Sequence, residues 1–123
     1  MQITLIIIIV LAMLYIIARR QNRTSVSLQQ VQADLQHGAA LLDVRTPGEF
    51  TSGHATGSKN ISLQQLQSGQ LPKTAKDKPV YVYCHSGARA SAAKRLLQRA
   101  GYENVVNIGG LSKWRSMGGA VVK

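Results

Sequence analysis

The sequence PVYVYCHSGARA, residues 79–90, decides the fold, because an apolar run passes through one short polar loop into a helical pattern. Residues 79–84 are rich in β-branched and aromatic side chains, which is typical of a buried strand. Residues 88–100 are rich in alanine, with Lys94, Arg95 and Arg99 opposite the apolar residues, and Gly101 follows. This pattern predicts an amphipathic helix that ends at a glycine. The stretch therefore predicts a strand, a loop and a helix in direct succession.

Similar patterns occur on both sides of this stretch. Residues 39–44 and 104–108 predict two more buried strands, and residues 59–61 predict a very short fourth strand. Ser27 with Gln30 three residues later predicts a capping box for a helix that Gly38 ends, and a second short helix is predicted to begin at Ser62. Strands that alternate with helices predict one α/β domain over residues 27–123, with a mostly parallel central sheet and helices on both faces.

The first 18 residues are nearly all apolar and uncharged, and they are followed by Arg19, Arg20 and Arg23. Eighteen residues of helix are about long enough to cross a hydrocarbon core of about 30 Å. A cleavable signal would carry a basic start and a small-x-small cleavage site, and neither is present. We therefore predict a transmembrane anchor over residues 1–18 and a basic linker over residues 19–26. The arginines place the domain on the cytoplasmic side of the inner membrane, as a single-pass protein.

The soluble part carries all of the net charge of +10. This charge fits either anionic lipid or a small anionic substrate. A nucleic-acid partner is not expected, because aromatic residues are few and no nucleic-acid motif is present. The single cysteine excludes an internal disulfide and a Cys-rich zinc site, and it fits a reducing compartment. We expect no metal and no organic cofactor.

That single cysteine, Cys84, ends the predicted strand at residues 79–84, where ligands of open α/β sheets bind. Three interpretations are open for the thiol: a buried inert side chain, a metal ligand or a nucleophile. The helix that follows presents unpaired N–H groups and a positive dipole end, which favour an anion and a thiolate. Gly87 allows the loop to curl its N–H groups inward, and the guanidinium of Arg89 suits an oxyanion. At the end of the neighbouring strand lie Asp43 and Arg45.

Three segments of the chain resemble the rhodanese-like sulfurtransferase family. CHSGARA, residues 84–90, resembles the family's active-site loop, C-x-x-G-x-[RT]. LLDVRTPGEFTSGHATGSKNI, residues 41–61, resembles its segment with a DVR start and a Gly-His turn, and GGLSKWRSMGGAV, residues 109–121, resembles its closing segment. The resemblance covers residues 25–122, which is the whole predicted domain. It implies the rhodanese-like three-layer fold.

The resemblance also implies roles for individual residues. Cys84 would accept sulfur and become a persulfide, and the anion would be bound by the N–H groups and side chains of the loop: His85, Ser86, Gly87, Ala88 and Arg89. Structural support is expected from Asp43, Arg45 and Glu49, with Arg45 paired to Glu49. His54 is expected to bond to backbone, and Trp114 is expected to pack the C-terminal segment onto the core.

The activity that the resemblance implies is transfer of a sulfane sulfur from a small anionic donor such as thiosulfate to a thiophilic acceptor. The acceptor would be cyanide, a thiol or a protein. A membrane-anchored persulfide carrier or a non-enzymatic interaction module is the alternative. Cysteine phosphatases place five residues between cysteine and arginine, whereas four separate Cys84 from Arg89, so phosphatase and arsenate reductase activities are disfavoured. Three positions depart from the family pattern, namely Ala55, Ser58 and Ala120, and they affect packing more than chemistry.

Overall fold

The computed structural model describes residues 1–21 and 26–123, with only the backbone described at 19–21. The basic linker predicted over residues 19–26 therefore lies almost wholly outside the described side chains. Six helices and six strands are described in these two ranges, in the order α1 Gln2–Gln21, α2 Leu28–Gln36, β1 Ala40–Asp43, α3 Pro47–Ser52, β2 His54–Ala55, β3 Lys59–Asn60, α4 Leu63–Gln67, β4 Val80–Cys84, α5 Ala88–Arg99, β5 Val105–Gly110, α6 Leu111–Ser116 and β6 Val121–Val122.

The central sheet has four parallel strands in the order β3-β1-β4-β5. The prediction of a mostly parallel sheet built from these four segments is confirmed. β4 lies between β1 and β5, with Asp43 beside Tyr83 and Gly110 beside Cys84. Because parallel strands end at the same edge, the carboxyl ends of β1 and β4 bring their polar residues together there. A separate antiparallel pair, β2 with β6, was not predicted.

The sheet divides the core into two clusters of buried side chains. Alternate residues of β4 face opposite sides, since side chains alternate along a strand. Val80, Val82 and Cys84 face α4 and α5, and Tyr81 and Tyr83 face α2 and α6. Cys84 therefore lies on the same side of the sheet as the helix that follows it.

The helix ends follow side-chain chemistry in the sequence. Ser27 accepts a hydrogen bond from the N–H of Gln30, so the predicted start of α2 is confirmed. The Gln30 side chain donates to Asp34 instead of returning to Ser27, so the predicted capping box is only half formed. Ser62 and Gln65 form a complete capping box at α4. Two further helices, α3 and α6, were not predicted, and each has six residues.

The N-terminal helix α1 carries large apolar side chains that are exposed, from Ile3 to Ile17. Within residues 1–21 and 26–123, no helix meets the combined length and apolarity needed to cross a membrane. The transmembrane anchor predicted over residues 1–18 is therefore not supported by the structure.

Candidate active site

The single thiol lies at the point where β4 becomes a loop. Cys84 is 1% exposed, and its Sγ accepts a hydrogen bond of 2.9 Å from the backbone N–H of Gly87. This bond requires the loop to turn back on itself, and Gly87 has a φ of 104°, a conformation that favours glycine. Gly87 is also the N-cap of α5, so the residue that bonds to the sulfur lies at the positive end of the helix dipole. The thiol is thus held next to a region suited to negative charge.

The reactive loop is also held from the neighbouring strand β5. The amide nitrogen of Asn107 donates to the carbonyl of Gly87 at 3.2 Å and to the hydroxyl of Ser91 at 3.0 Å, and its oxygen accepts from the N–H of Gly109 at 2.8 Å. Gly110 passes so close to the loop that a Cβ there would lie 2.2 Å from the carbonyl oxygen of His85. Asn107 and Gly110 were not singled out from the sequence. A polar residue inside an apolar run, followed by two glycines, was the available signal.

Arg89 lies in the first turn of α5 and forms an ion pair with Glu49 of α3. The two guanidinium nitrogens donate to the two carboxylate oxygens at 2.6 and 3.0 Å. These hydrogen bonds lower the pKa of Glu49 to about 2, and bonds from Thr46 act in the same direction. The pKa of Arg89 is raised, first by the hydrogen bonds to Glu49 and then by the charges of Glu49 and Cys84. Arg89 is thus placed near the thiol but is already paired.

Asp43 and Arg45 form a second ion pair at the end of β1, and it is buried. Asp43 is 0% exposed, and its carboxylate accepts from the Arg45 guanidinium at 2.6 Å and from the Tyr83 hydroxyl at 2.8 Å. Arg45 also donates to the carbonyl of Gly53 at 2.6 Å. The predicted pairing of Arg45 with Glu49 is wrong. Arg45 turns back toward Asp43, because that carboxylate is buried and needs a cation, while Glu49 faces Arg89.

The Tyr83 hydroxyl joins this ion pair to the Gly-His turn. It accepts a hydrogen bond from the N–H of Ala55 at 2.9 Å and lies 3.2 Å from the hydroxyl of Ser58. Burial raises the pKa of Tyr83 to about 12. Asp43, Arg45 and Tyr83 therefore hold together the loops behind the thiol.

Two residues with expected structural roles have those roles in the structure. His54 Nδ1 lies 2.9 Å from the carbonyl of Phe50, and the two rings stack 3.7 Å apart, so the prediction that His54 bonds to backbone is confirmed. Trp114 is buried and donates to the carbonyl of Ala120 at 2.8 Å. The predicted packing of the C-terminal segment by Trp114 is also confirmed.

The surface formed by the described residues includes a smaller and a larger cleft. The smaller one, about 410 Å³, includes Arg89 and has a mixed lining of polar and apolar side chains: Val44, Thr46, Pro47, Ser62, Leu63, Gln64 and Gln67. The larger one, about 680 Å³, lies around Gly38 and Ala40 at the start of β1, which is the opposite end of the sheet from Cys84. Of these two clefts, the smaller one shares a residue, Arg89, with the segment that follows the thiol. Across residues 1–21 and 26–123, no group of three or more His, Cys, Asp or Glu side chains is arranged to hold a metal.

A match to a known protein family agrees with the observed α/β fold. Residues 27–117 match the Rhodanese-like domain family. The chain belongs to this family. The rhodanese-like α/β fold is thereby shown, with its mostly parallel central sheet.

Rhodanese-like relatives include sulfurtransferases. A protein named Sulfurtransferase from Allochromatium vinosum is 34% identical over 101 residues, which is 80% of this chain and 91% of that protein. Thiosulfate sulfurtransferase PspE of Escherichia coli is 36% identical over 72 residues, 57% of this chain and 68% of that protein. The structure of a human single-domain sulfurtransferase is 26% identical, covers 76% of this chain and 96% of its own, and has a TM-score of 0.63.

Other relatives are longer than this chain. An uncharacterised protein of Bacillus subtilis, YqhL, is 42% identical over 77 residues, 62% of this chain and 60% of its own length. An uncharacterised protein of Synechocystis sp. is 37% identical over 98 residues, which is 79% of this chain and 53% of that protein. The chain therefore spans little more than half the length of these two relatives.

Proposed function

We propose that the protein is a sulfurtransferase that carries a sulfane sulfur on Cys84 as a persulfide. The observation that carries the proposal is the 2.9 Å hydrogen bond from Gly87 N–H to Cys84 Sγ at the start of α5. A fixed N–H donor at the sulfur stabilises negative charge there without reorganisation. The names of the relatives support the reaction class, and thiosulfate as donor is our proposal for this chain.

In the first step, the Cys84 thiolate attacks the outer sulfur of thiosulfate. A new sulfur–sulfur bond forms, the sulfur–sulfur bond of thiosulfate breaks, and sulfite leaves with the bonding electrons. The N-terminus of α5 stabilises the negative charge of both the donor and the persulfide. Because the donor adds one sulfur atom and no external oxidant takes part, the charge and electrons balance.

In the second step, a thiophilic acceptor such as cyanide or a thiolate attacks the outer sulfur of the persulfide. The acceptor–sulfur bond forms while the bond to Cys84 breaks, and the thiolate returns to its first state. The exposed loop residues His85, Ser86 and Ala88 leave the acceptor an approach from solvent. Since the donor product leaves before the acceptor reacts, ping-pong kinetics are expected.

Intact-mass spectrometry of the full chain tests this proposal. Thiosulfate is expected to add the mass of one sulfur atom to the wild type, and cyanide is expected to remove it. Cys84→Ser is expected to show neither change, and it leaves no other thiol to compete. The control is Ser68→Cys combined with Cys84→Ser, which restores an exposed thiol elsewhere. Sulfur transfer by Cys84→Ser, or by the relocated thiol at the wild-type rate, would contradict the proposal.

A persulfide carrier for a protein acceptor is the second candidate, and the exposure of the loop favours it. His85, Ser86 and Ala88 are exposed around the buried sulfur, so a protein surface can reach the rim. Rapid loss of the sulfur to a co-purified protein, with slow transfer to cyanide and small thiols, would distinguish a carrier from an enzyme that acts on small molecules.

The location of the protein remains a separate proposal, at the cytoplasmic face of the inner membrane. The exposed apolar side chains of residues 3–17 support it, because large exposed apolar surfaces mark interaction sites. The proposal does not require a spanning helix. Recovery of the full chain in the membrane fraction, resistant to high salt and released by detergent, is expected, and recovery in the salt wash would count against it.

A further inference from the structure

We propose that Glu49 sets the anion selectivity of the Cys84 site, by holding Arg89 in a charge-neutral pair beside the reactive sulfur. This inference rests on the proposed function for its biological meaning. Its main test uses only the reactivity of the thiol.

The geometry of the pair is that of a two-pronged carboxylate–guanidinium contact. Glu49 Oε1 and Oε2 accept from Arg89 Nη1 and Nη2 at 2.6 and 3.0 Å. This bidentate contact occupies both terminal nitrogens of the guanidinium, and such pairs are among the strongest hydrogen-bonded contacts of arginine. A donor with two negative charges must therefore compete with Glu49 for Arg89 or bind mainly to backbone N–H groups.

Glu49 is itself held in place by the first turn of α3. Its Oε1 accepts from the N–H of Thr46 at 3.3 Å and from the Thr46 hydroxyl at 3.1 Å, and the Thr46 hydroxyl accepts from the N–H of Glu49. These bonds form a capping box, so the carboxylate is oriented before any ligand arrives. Because a carboxylate in this position stays ionised at neutral pH, the counter-charge is permanent.

The electrostatic consequence falls on Cys84. Arg89 is the second residue of α5, and it follows two positions after Gly87, whose N–H donates to Cys84 Sγ at 2.9 Å. Other charged or titratable side chains near the loop are the buried, self-compensated Asp43–Arg45 pair, His85 of the loop itself and Lys113 beside Gly109, and none of them changes in the variants below. Removal of the Glu49 charge should therefore make the region around the sulfur more positive, and removal of the Arg89 charge should make it more negative.

The experiment compares alkylation of Cys84 by iodoacetate, which is anionic, with alkylation by iodoacetamide, which is neutral. In both reactions the sulfur forms a bond to the methylene carbon and iodide leaves. At one pH the thiolate fraction is the same for both reagents, so the ratio of the two rates reports the field at the sulfur. The full chain has one cysteine, so the product is unambiguous.

Glu49→Gln is expected to raise the iodoacetate-to-iodoacetamide ratio by about three- to tenfold, the size expected for one unit charge at a partly solvated site. Glutamine at this position also completes a capping box, so α3 should be preserved. Arg89→Gln is expected to lower the ratio by a similar factor. The double variant should return the ratio toward the wild-type value, because the pair is neutral again.

Matched controls are Glu103→Gln and Arg99→Gln, whose side chains are exposed. Arg99 lies ten residues along α5 from Arg89, about 15 Å away along the helix axis. Both controls should leave the ratio unchanged. A purely structural role for Glu49 predicts equal changes with both reagents, and an unchanged or lowered ratio in Glu49→Gln would overturn the proposal.

The second measurement is the steady-state rate of sulfur transfer from thiosulfate. Glu49→Gln is expected to lower KM for thiosulfate about threefold or more, with a smaller change in kcat, since the freed guanidinium binds the donor. If neither the wild type nor any variant accepts sulfur, but the alkylation ratios change as stated, the proposed function is wrong and the role of Glu49 in anion selectivity is still supported.

Discussion

Replacement of Asp43 by asparagine is expected to destabilise the domain strongly, because it leaves a buried arginine without its counter-charge. Asp43 is 0% exposed and Arg45 is 5% exposed, so water cannot replace the lost carboxylate. Removal of one partner of a buried ion pair costs about 3–5 kcal/mol. The asparagine oxygen can still accept from the N–H of Arg45, which now bonds to Asp43 at 2.9 Å, so the lower end of that range is expected.

The loss is large relative to the whole stability of a small domain, which is about 5–15 kcal/mol. A domain of this size loses about 4–8 °C of Tm for each kcal/mol, so about 3 kcal/mol should lower Tm by roughly 12–24 °C. Tyr83 contributes to the same result, since its hydroxyl donates to the Asp43 carboxylate at 2.8 Å and would face an amide nitrogen in one rotamer.

Thermal and urea unfolding of the full chain, followed by circular dichroism, measure the effect. Asp77→Asn is the matched control, because Asp77 is exposed and the same chemical change there should cost less than about 0.5 kcal/mol. Equal stability of the two variants would refute the reasoning.

Two further changes test the loop support and the pH dependence. Gly110→Ala should slow persulfide formation at least tenfold while the fold is retained, because the new methyl group would lie 2.2 Å from the His85 carbonyl oxygen and must displace the loop. Gly48→Ala is the control, since a methyl group there would meet no atom within 4 Å. Equal rates of persulfide formation in the two variants would contradict this prediction. Burial raises the pKa of Tyr81 above its usual value near 10, and a hydrogen bond to Asp34 acts in the same direction. Above about pH 10 the folded state therefore keeps a proton that the unfolded state loses, so the free energy of unfolding should fall as the pH rises. Tyr81→Phe should make that fall shallower in urea unfolding, whereas Tyr15→Phe, at an exposed position, should not, and identical slopes would refute the assignment.

The central elements of the fold were predictable from the sequence because each has a strong local signal. β4 and α5 follow from an apolar run and an amphipathic alanine-rich segment, and the structure places them at Val80–Cys84 and Ala88–Arg99. The short helices α3 and α6 have fewer than two turns, so no apolar period can reveal them. For α3, the sequence did hold a signal, because Thr46 and Glu49 have capping-box spacing with proline between them.

The candidate site was predictable in its chemistry but not in its pairings. Cys84, Gly87 and Arg89 lie within six consecutive residues, so their proximity follows from the chain itself. Which carboxylate meets which guanidinium depends on how β1, α3 and α5 meet in space. Arg45 and Glu49 are four residues apart, but α3 begins at Pro47, so Arg45 is not on the helix and the i,i+4 relation does not apply.

The strict alternation of β4 has a consequence for changes in chain length. Cys84 and Tyr83 are neighbours that face opposite layers of the domain. Insertion or deletion of a single residue within this strand would exchange their positions, so that the sulfur would enter the layer of Trp114 and the phenol would leave Asp43. The number of residues in the strand before the thiol is therefore fixed, because a change of even one residue would move the sulfur to the wrong side of the sheet.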